Sequence, residues 1–141
     1  PEEIDDHYAQ TVIDLYERLG IREPPALVYG DSTAPETVER VRDYFAPFDV
    51  VYVDGSHEYA DARKDLLNYA PMVNVGGYLL ADDAGLGLNM HPSGLFAGWP
   101  GSTKAFDELL PPITPAGELP DGSQWAHAGS IAHLRIWRRT R

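Results

Sequence analysis

Acidic residues follow two apolar segments of the sequence and are its best candidates for chemistry. Asp54 comes directly after the segment 48–53, and Asp82 and Asp83 come directly after the segment 78–81. If these segments are neighbouring strands, about 4.8 Å apart, the three carboxylates converge within reach of one ion. A set of hard oxygen ligands without sulfur favours Mg²⁺, Mn²⁺ or Ca²⁺ over Zn²⁺. The sequence therefore indicates a divalent cation site at these positions.

Each of these aspartates also has a simpler explanation, because an aspartate at the end of a strand often caps the next helix or forms a turn. The adjacent residues Asp82 and Asp83 are harder to explain in this way. Like charges side by side repel each other unless a cation or a base lies between them. The pair therefore favours the cation site.

Histidine and tryptophan residues near these acids are candidates for further roles. His57 lies three residues after Asp54, at the start of a predicted helix, where the helix dipole disfavours protonation of the imidazole. A neutral His57 is suited to act as a general base, and the alternative is a surface histidine with a local hydrogen bond. His91 and Trp99 lie in the glycine-rich segment 84–101, where they are candidates either for substrate contact or for ordinary loop positions.

Helical and strand patterns alternate along the chain. The patterns predict helices over 4–19, 33–45, 58–70 and 102–110, and buried strands over 26–29, 48–53 and 78–81. Gly20 is expected to end the first helix, and Thr33 with Glu36 is expected to form a capping box for the second. Gly76 and Gly77 predict a tight turn before the last of these strands.

This alternation predicts an α/β protein with a Rossmann-like parallel sheet. The segment 125–137 contains alternating apolar residues around Gly129 and Ser130, which predicts a C-terminal antiparallel hairpin with its turn at these two residues. In an open parallel sheet, ligands bind beyond the carboxyl ends of the strands. The aspartates and His57 are expected to lie at these ends.

Composition limits the classes of function. The 141 residues fit one domain, and they include no cysteine. Eleven Lys and Arg against 22 Asp and Glu give a net charge of −11, so phosphate backbones and anionic membranes would repel the chain. The sequence gives no support for secretion or membrane spanning. We therefore expect a cytoplasmic protein without nucleic-acid or membrane partners.

The segment 48–83 carries a set of motifs that resembles a known family. It reads FDVVYVDGSHEYADARKDLLNYAPMVNVGGYLLADD, with a D-G-x-H motif after a strand, a helix, a P-x-x-x-x-G-G turn and a strand that ends in an acidic pair. This order is similar to the middle of class I S-adenosylmethionine-dependent methyltransferases. It most resembles the metal-dependent O-methyltransferases of the macrolide and sugar-tailoring type, a group that includes proteins labelled cephalosporin hydroxylase.

The resemblance implies an O-methyltransferase that uses S-adenosylmethionine and Mg²⁺ to methylate a hydroxyl of a small natural product or sugar. It implies that His57 is the general base and that Mg²⁺ is held by Asp54, Asp82 and Asp83. A small molecule with a hydroxyl group is thus the expected partner, and a homo-oligomer is left open.

The similarity extends from about residue 26 to residue 83 and is looser through the C-terminal hairpin. It implies that Gly30, Asp31 and Ser32 lie near the adenine of the cofactor. The family's first strand with its glycine-rich loop, and the second strand, whose acid holds the ribose, have no counterpart before Pro1. We therefore expect residues 1–141 to be the C-terminal portion of a class I methyltransferase domain.

Two other functions are compatible with the same residues. A non-catalytic α/β binding or oligomerisation module is favoured if these residues are the entire protein. A Mg²⁺-dependent phosphoester hydrolase would use the same carboxylates to hold phosphate. Its weakness is that the basic residues nearest the carboxylate motifs, Arg63 and Lys64, lie in the following helix.

Overall fold

The protein is described here from a computed structural model, which covers residues 6–23, 25–85, 98–110 and 117–141. The chain forms two compact units, Pro1–Asp31 and Ser32–Arg141. Each unit is considered by itself.

The first unit contains one helix, α1, over Asp6–Arg18. The helix ends as predicted, because Gly20 has a φ of 69° and its N–H donates to the carbonyl of Glu17 at 3.0 Å. The predicted buried strand over 26–29 is wrong, since this segment has no ladder partner among the described residues, and Leu27 and Tyr29 are exposed. A run of four apolar residues after a pair of prolines is too short to specify a strand without a hydrogen-bonded neighbour.

The second unit is a five-stranded sheet with helices. Its elements are α2 (Pro35–Phe45), β1 (Phe48–Val53), α3 (Tyr59–Tyr69), a short 3₁₀ turn (Ala70–Met72), β2 (Val73–Ala81), α4 (Pro100–Leu109), β3 (Gly117–Glu118), β4 (Gln124–Ile131) and β5 (Leu134–Arg139). The strand order is β1-β2-β5-β4-β3, with β1 and β2 parallel and the other neighbours antiparallel. The predicted α/β class and the C-terminal hairpin are confirmed.

The helices begin close to their predicted positions, although the second starts for a different reason. The predicted capping box at Thr33 and Glu36 is wrong, because α2 begins at Pro35 and its N-cap, Ala34, makes no side-chain capping hydrogen bond. Proline suits the first helical position, since its φ is preset and its missing N–H would have had no helical partner. No helix in the described ranges has the length and apolar character that crossing a membrane requires.

One face of the sheet packs against α3 and α4. Leu66 from α3 and Phe106 from α4 are buried with Leu79 of β2 and with two tryptophans, Trp125 and Trp137. The rings of Phe106 and Trp137 stack with centroids 5.5 Å apart. This apolar layer holds the parallel strands at a fixed distance from α3 and α4.

The two consecutive glycines form an irregularity inside β2 and do not turn the chain before it, so the predicted tight turn is wrong. Phe48 pairs with Val73 and Val50 pairs with Tyr78, so β2 has extra residues between these two points. Gly76 has a φ of 92°, and a Cβ on Gly77 would lie 2.6 Å from the carbonyl oxygen of Asp49. Glycine is therefore required here by backbone conformation and by close approach to β1.

The hairpin turn also differs from its predicted position. Ile131 pairs with Leu134, so Ala132 and His133 form the turn, and Ala132 has a φ of 53°. The expected turn at Gly129 and Ser130 is wrong, because the register shift between His127 and Gly129 places the glycine at an irregularity within β4. Gly129 therefore lies at a bulge within β4 and not at the hairpin turn.

Candidate metal and active site

The carboxyl ends of β1 and β2 meet at one edge of the sheet, as the sequence predicted. Val53 pairs with Ala81, and the N–H of Asp82 donates to the carbonyl of Val53 at 2.9 Å. The predicted proximity of the two strands is therefore confirmed. Asp54 and Asp82 follow directly on neighbouring parallel strands.

The backbone changes direction between the two consecutive aspartates. Asp83 has a φ of 52°, a left-handed conformation that residues other than glycine seldom adopt. Its N–H donates to Oδ1 of Asp82 at 2.9 Å. The alternation of side chains along β2 ends at this point, and both carboxylates join the same cluster of polar groups.

A histidine from the C-terminal hairpin completes this cluster. Asp82, Asp83 and His133 each offer a ligand atom, and these atoms lie within 4.8 Å of one another. Nε2 of His133 is 3.1 Å from Oδ1 of Asp82. Among the described residues, Asp54 does not belong to this group, so its role as a ligand remains a prediction.

Sequence reasoning missed His133, although a signal for it exists. Because β5 runs antiparallel to β2, with Ala81 opposite Arg135, residues just before β5 must lie beside residues just after β2. His133 immediately precedes β5 and Asp82 immediately follows β2. A correct position for the hairpin turn would have placed the histidine beside the acidic pair.

His57 lies against the other aspartate of the pair. Its Nε2 is 2.9 Å from Oδ2 of Asp83, and its ring stacks on Trp99 with centroids 5.3 Å apart. The N–H of Trp99 donates to the carbonyl of Asp83 at 2.9 Å, which ties the tryptophan to the same loop. The structure thus brings the predicted base, the predicted acidic pair and Trp99 together.

Tyr52 is a second residue that sequence reasoning missed. Its hydroxyl donates to Oδ2 of Asp82 at 2.5 Å. This hydrogen bond, followed by burial and by the negative charges of Asp82, Asp54 and Asp83, raises the pKa of Tyr52 to about 12. The phenol therefore remains a proton donor to the carboxylate at neutral pH.

A small cavity lies between the predicted ligands and the predicted base. Asp54, His57, Asp82 and Asp83 all contribute to its lining, and its volume is about 10 Å³. Such a volume is close to the minimum that holds a single water molecule. The cavity thus has room for one ion or one water among oxygen and nitrogen donors.

A larger cavity of about 260 Å³ lies beside the end of β1. It is lined by Ser32, Tyr52, Asp54, Asp65 and Tyr69, together with neighbouring backbone and apolar groups. The hydroxyl of Tyr69 donates to the carbonyl of Ser32 at 2.9 Å, which holds this predicted cofactor residue at the cavity.

For three other predicted residues, the expected role stays a prediction. Gly30 and Asp31 belong to the first compact unit, and their contact with a cofactor stays a prediction. His91 lies outside the described residues.

One known protein family matches the part of the chain that carries most of this site. The family described as "Methyltransferase domain" matches residues 3–84, which is more than half of the chain. The chain belongs to this methyltransferase family. The predicted resemblance to methyltransferases is therefore confirmed.

Solved structures share the fold of this methyltransferase domain. The MycE methyltransferase from the mycinamycin biosynthetic pathway, in complex with Mg, SAH and mycinamycin VI, is 23% identical, with a TM-score of 0.53 over 81% of this chain and 31% of its own. The TDP-rhamnose 3'-O-methyltransferase of calicheamicin biosynthesis, in its apo form, is 17% identical, with a TM-score of 0.57 over 94% of this chain and 50% of its own. The domain thus spans between about a third and a half of these proteins. A search of curated proteins finds no match to the chain.

Proposed function

We propose that this domain contributes to methyl transfer from S-adenosylmethionine to a hydroxyl of a small natural product or sugar, assisted by a divalent cation. The observation that carries this proposal is the small cavity at the ends of β1 and β2, where His57 and the acidic pair meet. The complex of MycE with mycinamycin VI and the TDP-rhamnose 3'-O-methyltransferase of calicheamicin biosynthesis support the substrate class.

The donor groups at the site suit a divalent cation. Asp82, Asp83 and His133 offer oxygen and nitrogen atoms around one point, and Asp54 lines the adjoining cavity. Carboxylate oxygens are the ligands that Mg²⁺ and Mn²⁺ prefer. When bound, such a cation lowers the pKa of a neighbouring hydroxyl group.

The larger cavity suits part of an organic cofactor. It combines the apolar end of β1 with polar groups of Ser32, Asp65 and Tyr69. In open α/β sheets, ligands bind beyond the carboxyl ends of the strands, which is where this cavity lies. Ser32 at this cavity would hold S-adenosylmethionine, which supplies the methyl group.

His57 is the proposed proton acceptor. The imidazole of His57 lines the small cavity, so a substrate hydroxyl bound there would lie close to this ring. Asp83 and Trp99 orient the imidazole through a 2.9 Å contact and a stacked ring. With S-adenosylmethionine bound, its methyl group would pass to the hydroxyl oxygen, its sulfur would keep the electron pair of the broken bond, and His57 would accept the hydroxyl proton.

The test measures cofactor binding and transfer separately. Calorimetry should detect S-adenosylmethionine binding to the longest available form of the protein, and labelled methyl groups should transfer to sugar nucleotides or macrolides with free hydroxyls. His57→Ala should lower kcat by about 10²- to 10⁴-fold while cofactor binding persists. A protein that binds no S-adenosylmethionine would refute the proposal and favour a non-catalytic module.

A further inference from the structure

We propose that Nε2 of His133 is a direct ligand of the cation, and that the site therefore binds Mn²⁺ more tightly than Mg²⁺. This inference rests on the proposed function, because it concerns the cation of the same site. It adds a nitrogen donor from the C-terminal hairpin to a set that the sequence had predicted to consist of carboxylates only.

Two separate contacts bring His133 to the acidic pair. Its carbonyl accepts a hydrogen bond from the N–H of Ala84 at 2.9 Å, and its Nε2 is 3.1 Å from Oδ1 of Asp82. The first contact fixes the backbone of the two-residue turn against the residue that follows the acidic pair. The imidazole therefore reaches Asp82 from a backbone that is already in place.

The separations among the donor atoms fit one ion. Ligands about 2.1 Å from a cation lie about 3 Å apart when adjacent and about 4.2 Å apart when opposite, as octahedral coordination requires. The donor atoms of Asp82, Asp83 and His133 all lie within 4.8 Å of one another. These separations are compatible with one ion bound by all three side chains.

The other contacts of Asp82 leave one of its oxygens directed toward the histidine. Oδ2 accepts the hydroxyl of Tyr52, whereas Oδ1 accepts the N–H of Asp83 at 2.9 Å and lies 3.1 Å from Nε2 of His133. Tyr52 thus fixes the orientation of the carboxylate. Oδ1 and Nε2 are the two atoms of this pair that an ion would contact.

The two histidines of the site have different positions. His57 contacts Asp83 but does not belong to the group of mutually close donor atoms in the described structure. His133 does belong to it. We therefore assign proton transfer to His57 and cation binding to His133.

A nitrogen ligand changes which cation is preferred. Mg²⁺ binds oxygen donors almost exclusively, whereas imidazole is a suitable ligand for divalent ions of the first transition series. A site with two carboxylates and one imidazole should thus discriminate in favour of Mn²⁺. Removal of the imidazole should reduce this discrimination.

The experiment uses bound Mn²⁺ as a spectroscopic probe of its ligands. Pulsed electron paramagnetic resonance detects the coupling of Mn²⁺ to a directly bound ¹⁴N nucleus, and calorimetry measures the affinities for Mn²⁺ and Mg²⁺. The variants are His133→Ala and the matched control His57→Ala. Thermal unfolding checks that each variant is folded, and the hydrogen bond from Ala84 to the backbone of residue 133 remains available in both.

We expect nitrogen coupling in the wild type and in His57→Ala, and no coupling in His133→Ala. The affinity for Mn²⁺ should fall by about 10- to 100-fold in His133→Ala, and the affinity for Mg²⁺ should fall less. Mn²⁺ bound to the wild type without nitrogen coupling would overturn the inference, and so would an equal loss for both ions. Neither result affects the proposed function, because S-adenosylmethionine binding and methyl transfer are measured without reference to the nitrogen signal.

Discussion

Gly101 lies in the first turn of α4, where the helix contacts the backbone that carries His57. A Cβ at this position would lie 2.2 Å from the carbonyl oxygen of His57 and 2.8 Å from the backbone nitrogen of Tyr59. Non-bonded carbon and oxygen atoms seldom approach closer than about 3.3 Å. Gly101→Ala must therefore move the two backbones apart by about 1 Å, because neither neighbour is a side chain that can rotate away.

Two opposing effects decide the stability of this variant. Alanine in a helix is favoured over glycine by about 0.5–1 kcal/mol, whereas the clash costs about 1–3 kcal/mol. The clash is larger, so we expect a net loss of about 1–2 kcal/mol. For a domain of this size, the loss lowers Tm by about 3–8 °C.

The same displacement should affect catalysis. A shift of about 1 Å in a catalytic group can lower the rate by about 10²-fold, so kcat should fall in Gly101→Ala even at temperatures where the protein is folded. Calorimetric unfolding and methyl transfer are the two measurements. Lys104→Ala, on an exposed position of the same helix, is the control and should change stability by less than about 0.5 kcal/mol. A Gly101→Ala protein as stable and as active as the wild type would refute this account of the contact.

Three further predictions concern single side chains. Asp82→Asn should weaken cation binding in calorimetry without unfolding the domain, and an unchanged affinity would argue against the site. Asp107→Ala should destabilise the fold by about 2 kcal/mol in denaturant unfolding, because it leaves the buried guanidinium of Arg135 without this carboxylate. The loss should be smaller than for a fully buried ion pair, since Asp107 is itself exposed. The phenol of Tyr52 should ionise near pH 12, so its contribution to stability is present below pH 10 and lost as the pH rises to about 12. Absorbance titrations of the wild type and Tyr52→Phe that coincide would contradict this prediction.

The segment from β1 to β2 was the most predictable part of the protein. Its β-branched strand, its helix and its terminal aspartates are encoded by local patterns of about ten residues. Parallel pairing through a helix then places Asp54 and Asp82 at the same edge. Local sequence was therefore sufficient to predict where His57 and the acidic pair would meet.

Contacts between distant residues were harder to predict. Tyr52 reaches Asp82 across the pair of strands, and His133 reaches it from the hairpin. Neither contact has a local pattern, because both depend on the register of neighbouring strands. A three-residue error in the position of the hairpin turn was enough to conceal His133.

Glycine residues predicted where the backbone is irregular, but they did not distinguish a turn from an irregularity within a strand. Gly77 permits β2 to approach Asp49, and Gly129 lies at a register shift, whereas both had predicted turns. The actual turn uses Ala132 in a left-handed conformation, which alanine adopts at a cost. Tertiary pairing thus overrode local preference at the hairpin.

The pairing of β5 with β2 also determines when the site can form during synthesis. During synthesis, β1, α3 and β2 leave the ribosome before β5, so Asp82 and Asp83 emerge before the hairpin that contacts them. His133 and β5, the strand that pairs with β2, are translated much later, after α4 and β4. Since pairing between distant segments is slow to form, the nascent chain carries an incomplete acidic site until the last hairpin has emerged. The group of Asp82, Asp83 and His133 can therefore form only after the second unit has been translated through β5.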